Sequence, residues 1–94
     1  MKIVGRDILE DGCRAHPDAR SRIEAWICEV EEAEWKTSHN IKERFSNVSF
    51  IGGKRVVFNI KGNNYRLDVI IDYLGGYVQV QRFGTHDEYN NWKF

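Results

Sequence analysis

The first third of the chain spaces its apolar residues as helices do. Ile3-Val4 predicts a short first strand, and the residues from Arg6 to about Ala15 predict a first helix. His16-Pro17-Asp18 interrupts that pattern and favours the start of a second helix, which we expect to run to about Trp35. The apolar residues of the second helix recur at intervals of three and four: Ala19, Ile23, Trp26, Ile27, Val30 and Ala33. Its glutamates mostly fall elsewhere, which indicates a solvated face.

Alternating apolar and polar residues follow in the second half of the chain. Ile41 to Phe45 predicts a short helical turn, and beyond it the apolar period changes to two, as in strands. Three strands are predicted, over Lys54–Ile60, Tyr65–Tyr73 and Tyr77–Phe83. The tight turns between them are Lys61-Gly62-Asn63-Asn64 and Gly75-Gly76. Strands joined so closely predict an antiparallel meander.

The end of the chain predicts a short closing helix over His86 to Trp92. Thr85 takes the N-cap position, and Glu88 three residues later gives the spacing of a capping box. The order β-α-α-β-β-β with a short C-terminal helix predicts an α+β fold, with the helices packed on one face of an antiparallel sheet. With 94 residues, we expect one domain spanning residues 1–94. The other face of the sheet, which we call the far face, is then open to a ligand.

The alternation also decides which side chains lie on the far face. On the middle strand Tyr65, Leu67, Val69, Ile71 and Tyr73 are predicted to meet the helices. Arg66 then lies on the far face together with Arg55 and Asn59 of the preceding strand, and Asn59 comes close to Arg66 across the hairpin. On the last strand Arg82 has the same parity as the core-facing Val78 and Val80. It lies at the strand end, however, where a bulge would free it.

Composition and charge narrow the classes of function. The chain has 14 basic and 14 acidic residues and a formal net charge of zero, which argues against a strongly basic RNA-binding surface. Residues 1–38 carry six Lys/Arg and nine Asp/Glu, whereas residues 39–94 carry eight and five. The C-terminal half therefore has the excess of positive charge that a basic face requires, although chance scatter in a small protein explains the same distribution.

The sequence supports neither a membrane protein nor a metal-binding protein. No apolar run is long enough to span a bilayer, and the N-terminus lacks the apolar stretch of a secretion signal, so we expect a cytoplasmic protein with no membrane partner. Cys13 and Cys28 do not form a C-x-x-C pair, and the three histidines are not at metal-ligand spacing from them. We expect reduced thiols, no metal and no cofactor.

Several polar residues of the C-terminal half are able to handle a phosphate. Histidine titrates near neutral pH, which makes His86 a candidate acid or base. Arg66 and Arg82 are candidate clamps, because a guanidinium can grip two phosphate oxygens at once. Tyr89, nearly one helical turn after His86, can stack on a base or transfer a proton. The remaining candidates for positioning an RNA backbone are Arg55, Asn59 and Lys61.

Each of these residues also has a purely structural interpretation. A histidine before a helix is often a cap or a surface residue, and Tyr89 with Trp92 can pin a terminal helix to the core. Arg66 can form cross-strand ion pairs with Asp68 and Asp72, whose carboxylates on the far face would otherwise repel phosphate.

Two segments carry a resemblance to a known family. Val57 to Leu67 resembles the V-F-N-I-x-G-N-x-Y-R-L motif of HigB-type toxins, which belong to bacterial type II toxin–antitoxin modules and to the RelE-like superfamily. Phe83-Gly84-Thr85-His86-Asp87-Glu88-Tyr89 resembles the family's F-x-G-T-H-x-E-Y motif, with one residue missing between Phe and Gly. Trp35-Lys36 followed by Ile41-Lys42 resembles the family's tryptophan and the turn that follows it.

The resemblance implies a fold, an activity and a partner. It implies a RelE-like fold and an mRNA endonuclease that uses metal-independent attack by the ribose 2′-OH, often on translating ribosomes, so that translation is inhibited. The implied partner is a HigA-type antitoxin with a helix-turn-helix domain, through which alone the toxin meets operator DNA. Arg66, His86 and Tyr89 are the implied catalytic residues, and Asn59 belongs to the implied site. The alternative is a non-catalytic RelE-like binding module that contacts an antitoxin, a ribosome or RNA.

Overall fold

A computed structural model of the protein describes residues 1–94 and places helices on one face of a five-stranded sheet. The elements in chain order are β1 (Lys2–Val4), α1 (Arg6–Ala15), a 3₁₀ turn (Pro17–Ala19), α2 (Arg20–Glu32), α3 (Ser38–Arg44), β2 (Ser49–Gly52), β3 (Arg55–Ile60), β4 (Tyr65–Asp72), β5 (Tyr77–Thr85) and α4 (His86–Tyr89). This arrangement confirms the predicted α+β class. None of the helices combines the length and the apolarity needed to cross a membrane.

The sheet contains the predicted meander and two further strands at its edges. Its strand order is β1-β5-β4-β3-β2, and β3, β4 and β5 pair antiparallel as expected. Strand β1, whose pairing was not predicted, runs parallel to β5, with Ile3 opposite Val78, so the sheet is antiparallel except at this edge. Strand β2 was not predicted. Its apolar residues Phe50 and Ile51 are exposed at the sheet edge, so they follow no alternation of buried and exposed positions.

The second predicted helix is divided in the structure. A 3₁₀ turn takes up Pro17–Ala19, and α2 ends at Glu32 because Ala33 has an extended backbone. That extension brings Trp35 into the core, where its ring lies 6.2 Å from the ring of Phe58. The predicted apolar stripe is confirmed, since Ile23, Trp26 and Val30 of α2 are all buried.

A β-bulge in β5 decides which side chains reach the far face. Asp68 lies opposite Arg82 and Val69 lies opposite Val80, so Gln81 is the extra residue between them. The bulge lets Val80 and Phe83 both face the helices, and it turns Arg82 to the far face. The predicted release of Arg82 by a bulge is therefore confirmed.

The closing helix is shorter than predicted. The capping box is present, because the Glu88 N–H donates to Thr85 Oγ1 (3.1 Å) and the Thr85 N–H donates to Glu88 Oε1 (2.9 Å). The helix nevertheless ends at Tyr89 rather than at Trp92. Residues 90–94, which we call the C-terminal tail, turn back over the far face. Gly84 permits this, because a Cβ atom at this position would lie 2.9 Å from Cζ2 of Trp92.

Candidate active site

The far face brings Arg66 of β4 against His86, the first residue of α4. Arg66 is only 8% exposed, and its Nη2 lies 2.9 Å from His86 Nδ1. A guanidinium has no acceptor atom, so Arg66 donates and the imidazole accepts at Nδ1. In this arrangement the imidazole proton lies on Nε2, the nitrogen directed away from Arg66. His86 itself is exposed.

Tyr89 completes this group, which we call the Arg66 cluster. Its ring lies beneath the guanidinium of Arg66, with 5.2 Å between Cζ and the ring centroid, a distance at which a cation attracts an aromatic face. Arg66 Nη1 also donates to the backbone oxygens of Asn63 (2.9 Å) and Tyr65 (3.3 Å). The structure thus brings the three predicted catalytic side chains, Arg66, His86 and Tyr89, together.

The ion pairs proposed for Arg66 in its structural interpretation are absent. Arg66 forms no salt bridge, and Asp68 is bound to other arginines, as described below. Asp72 instead closes the turn between β4 and β5, where its Oδ1 accepts from the N–H of Gly75 at 2.6 Å. That hydrogen bond lowers the pKa of Asp72 below its ordinary value. The positive charge of Arg66 is therefore not compensated by a carboxylate.

A second group on the far face is built on Asp68, whose side chain is fully buried. Arg55 grips the carboxylate with two hydrogen bonds, from Nε to Oδ1 (2.7 Å) and from Nη2 to Oδ2 (2.6 Å). Arg82 Nε donates to Oδ2 at 2.8 Å. The hydrogen bonds of Arg55 to Asp68 raise the pKa of the Arg55 guanidinium. This group, which we call the Arg55–Asp68–Arg82 cluster, contains two cations and one anion. It therefore has an excess of positive charge.

Aromatic side chains of the C-terminal tail lie on these guanidinium groups. The Cζ of Arg82 is 4.6 Å from the ring centroid of Trp92 and 5.0 Å from that of Phe94, and the Cζ of Arg55 is 5.3 Å from that of Phe94. Alternation and spacing do not predict this role, because the contacts depend on the bulge and on the path of the tail. The presence of three aromatic residues, Tyr89, Trp92 and Phe94, near the end of the chain was the one available signal.

Two predicted RNA contacts lie outside both clusters. Lys61 Nζ is 2.9 Å from Asp18 Oδ2, and the Tyr65 hydroxyl donates to the same carboxylate at 2.8 Å. Those contacts direct Lys61 toward the 3₁₀ turn and lower the pKa of Asp18. Asn59 lies opposite Arg66 in the sheet, as predicted, but its side chain has no hydrogen bond within the protein.

Two of the cavities of the protein differ in character and in position. An open polar pocket of about 480 Å³ adjoins the Arg66 cluster, and its lining consists of Asn63, Asn64, Tyr65, Thr85, His86 and Asp87. A larger groove of about 670 Å³ lies between α1 and α2, away from the far face, and contains both Cys13 and Cys28. No group of three or more His, Cys, Asp or Glu side chains is placed to hold a metal ion.

The fold and the family comparison agree on the class of protein. Helices packed on one side of an antiparallel-dominated sheet, followed by a short C-terminal helix, are consistent with a RelE-like fold. The sequence model of the HigB toxin family, described as the RelE-like toxic component of a toxin–antitoxin system, matches residues 19–92. The chain therefore belongs to the HigB toxin family, and membership implies an antitoxin partner. No curated protein matches the sequence significantly.

Proposed function

We propose that this toxin is an mRNA endonuclease and that the Arg66 cluster is its catalytic centre. The observation that carries the proposal is the 2.9 Å contact between Arg66 and His86, with the ring of Tyr89 beneath the same guanidinium. A cation without a carboxylate partner, an imidazole and a phenol are the groups that cleavage of RNA without a metal requires.

The reaction breaks the bond between phosphorus and the 5′ oxygen. The ribose 2′ oxygen attacks phosphorus and loses its proton, and the departing 5′ oxygen gains one. The products are a 2′,3′-cyclic phosphate and a 5′-hydroxyl end. Arg66 stabilises the additional negative charge on the phosphate oxygens in the transition state. Proton transfer falls to His86 and Tyr89, the two members of the cluster that can both accept and donate a proton.

The location of the cluster suits a single-stranded substrate. His86 is exposed and borders the open polar pocket, so a nucleotide can approach without any opening of the core. Tyr89 offers a ring on which a base can stack. The proposed partners are mRNA on the translating ribosome and a HigA-type antitoxin. The antitoxin makes the contact with operator DNA. The proposed compartment is the cytoplasm.

The test is expression of the toxin in a bacterium, with the 5′ ends of transcripts mapped after induction. We expect new 5′ ends within coding regions for the wild type and none for His86→Ala. His39→Ala is the matched control, because His39 is exposed on α3 and pairs with Glu43. Cleavage that persists in His86→Ala would transfer the catalytic role to Arg66 and Tyr89.

The second candidate is a non-catalytic binding module. It is favoured by the zero net charge and by the compensation of Arg55 and Arg82 by Asp68. Intact transcripts in cells that contain folded wild-type protein would contradict the endonuclease proposal and support this candidate.

A further inference from the structure

The Arg55–Asp68–Arg82 cluster has more positive charge than a structural ion pair needs. Burial of a carboxylate is costly unless the group is paired and hydrogen-bonded, and Arg55 alone contacts both oxygens of Asp68. The bulge at Gln81 turns a second arginine onto the same carboxylate. Bulges are common where a strand must redirect a functional side chain.

The hydrogen bonds of the cluster leave donors free. Arg55 uses Nε and Nη2 on Asp68, whereas Arg82 uses Nε on Asp68 and Nη2 on the backbone oxygen of Lys93. Nη1 of each arginine therefore has no partner within the protein. The two side chains are 29% and 31% exposed, so both are partly open to an approaching phosphate.

The position of the cluster matches the course of a bound strand. Asp68 pairs with Arg82 and Arg66 pairs with Gly84 across β4 and β5, and the two pairs lie two positions apart in the sheet. Two residues of a strand span about 7 Å, which is similar to the separation of neighbouring phosphates in an extended single strand. Phe94 lies beside both guanidinium groups and is 55% exposed, so part of its side chain is accessible to a base.

We propose that the Arg55–Asp68–Arg82 cluster is a second phosphate-binding subsite for RNA, next to the cleavage site. In this subsite Asp68 is a positioning residue that holds both guanidinium groups, and Phe94 stacks on the base of the bound nucleotide. The inference rests on the proposed function, because it assigns a neighbouring nucleotide to the same RNA strand.

Asp68→Asn separates this proposal from a simple charge effect. If Asp68 only repelled phosphate, its neutralisation would tighten RNA binding. If Asp68 positions the arginines, the same change weakens binding on the order of tenfold despite the added positive charge. The measurement is the Kd of a short single-stranded RNA, in protein that carries His86→Ala to prevent cleavage.

Asp72→Asn is the matched control, because it removes the same charge from the same strand but affects only a turn. We expect its Kd to equal or fall slightly below that of the parent protein. In a background with Arg55→Gln and Arg82→Gln, Asp68→Asn should have no further effect on the Kd. Arg82→Lys keeps the charge and provides an independent test if Asp68→Asn does not fold, and we expect weaker binding for it as well.

The possible failures can be distinguished. An affinity for Asp68→Asn equal to or tighter than that for Asp72→Asn, with cleavage by the wild type intact, overturns the subsite alone. Absence of RNA binding and cleavage in the folded wild type overturns the subsite and the proposed function together. Weaker binding of an antitoxin with unchanged RNA affinity would assign the cluster to the protein partner instead.

Discussion

At the scale of single residues, the position of Arg66 is defined by neighbours that carry no negative charge. Two backbone oxygens, an imidazole nitrogen and an aromatic ring hold its guanidinium. These contacts fix the direction of the guanidinium without neutralising it, which is what stabilisation of a phosphate in the transition state requires.

Arg66→Lys should therefore reduce RNA cleavage on the order of a hundredfold while the protein stays folded. Lysine keeps the charge but cannot contact Asn63 and His86 through two separate nitrogens in a planar group. Cleavage of a defined message and thermal unfolding would be measured side by side. Arg22→Lys is the control, since Arg22 is exposed and has no salt bridge. Full activity of Arg66→Lys would contradict the role given to the guanidinium.

At the scale of elements, sequence patterns predicted four of the five strands and missed the edge strand β2. In β3 and β4 every second residue is apolar and faces the helices, so the proximity of Asn59 and Arg66 was predicted correctly. The exposed apolar residues of β2 gave no such pattern. The pairing of Arg82 with Asp68 was not predictable in detail, because it depends on where the bulge shifts the register of β5.

The C-terminal tail lies on Gly84, so Gly84→Ala should displace Trp92 from Arg82. The new methyl group would meet the far end of the Trp92 ring, and the tail can move away at a cost of about 1 kcal/mol. Tryptophan fluorescence would report the change, because Trp26 and Trp35 remain buried in the core. In a Trp92→Leu background the same substitution should have little effect on stability. An equal loss in both backgrounds would show that Gly84 acts through some other contact.

Lys61, in the turn between β3 and β4, contacts Asp18 in the 3₁₀ turn. This contact should make part of the stability depend on pH. Hydrogen bonds from Lys61 and Tyr65 lower the pKa of Asp18 below its ordinary value of about 3.8. A lowered pKa in the folded state means that the contribution is complete at neutral pH and is lost as the pH falls through the folded-state value. Thermal unfolding of the wild type and Asp18→Asn from pH 7 to pH 3 would measure it. We expect the difference in Tm to shrink toward low pH, whereas a constant difference would exclude the ionic contribution.

At the scale of the whole molecule, opposite charges are arranged differently on the two faces of the sheet. Most arginines of the helical layer are paired with carboxylates, as in Arg6–Glu31, Arg20–Glu10 and Arg44–Glu29. On the far face Arg66 has no acidic partner, and one carboxylate serves two arginines. A net charge of zero is thus compatible with a locally positive surface, which composition alone could not reveal.

The ring of Phe58 packs against aromatic rings from other parts of the core. Phe58 of β3 lies 5.5 Å from Trp26 and 5.0 Å from Phe45 between ring centroids. Phe58→Ala should destabilise the protein by about 3–5 kcal/mol, a large part of the roughly 5–15 kcal/mol that holds a domain folded. Urea unfolding would measure the loss. Phe50→Ala, at the exposed edge of β2, is the control and should change stability by no more than about 0.5 kcal/mol. Equal losses for the two variants would mean that Phe58 is not central to the core.

The bulge at Gln81 has a consequence for insertions and deletions in this chain. Gln81 is the extra residue between Val80 and Arg82, so its removal would leave a regular strand with Val80 still opposite Val69 and Arg82 still opposite Asp68. Arg82 would keep the far face and Phe83 the core. Removal of one residue from the middle of β4, which has no bulge of its own, would instead make every residue beyond the deletion exchange faces, because the side-chain period of a strand is two. The bulge therefore gives β5 a place where one residue can be lost without reversing its two surfaces.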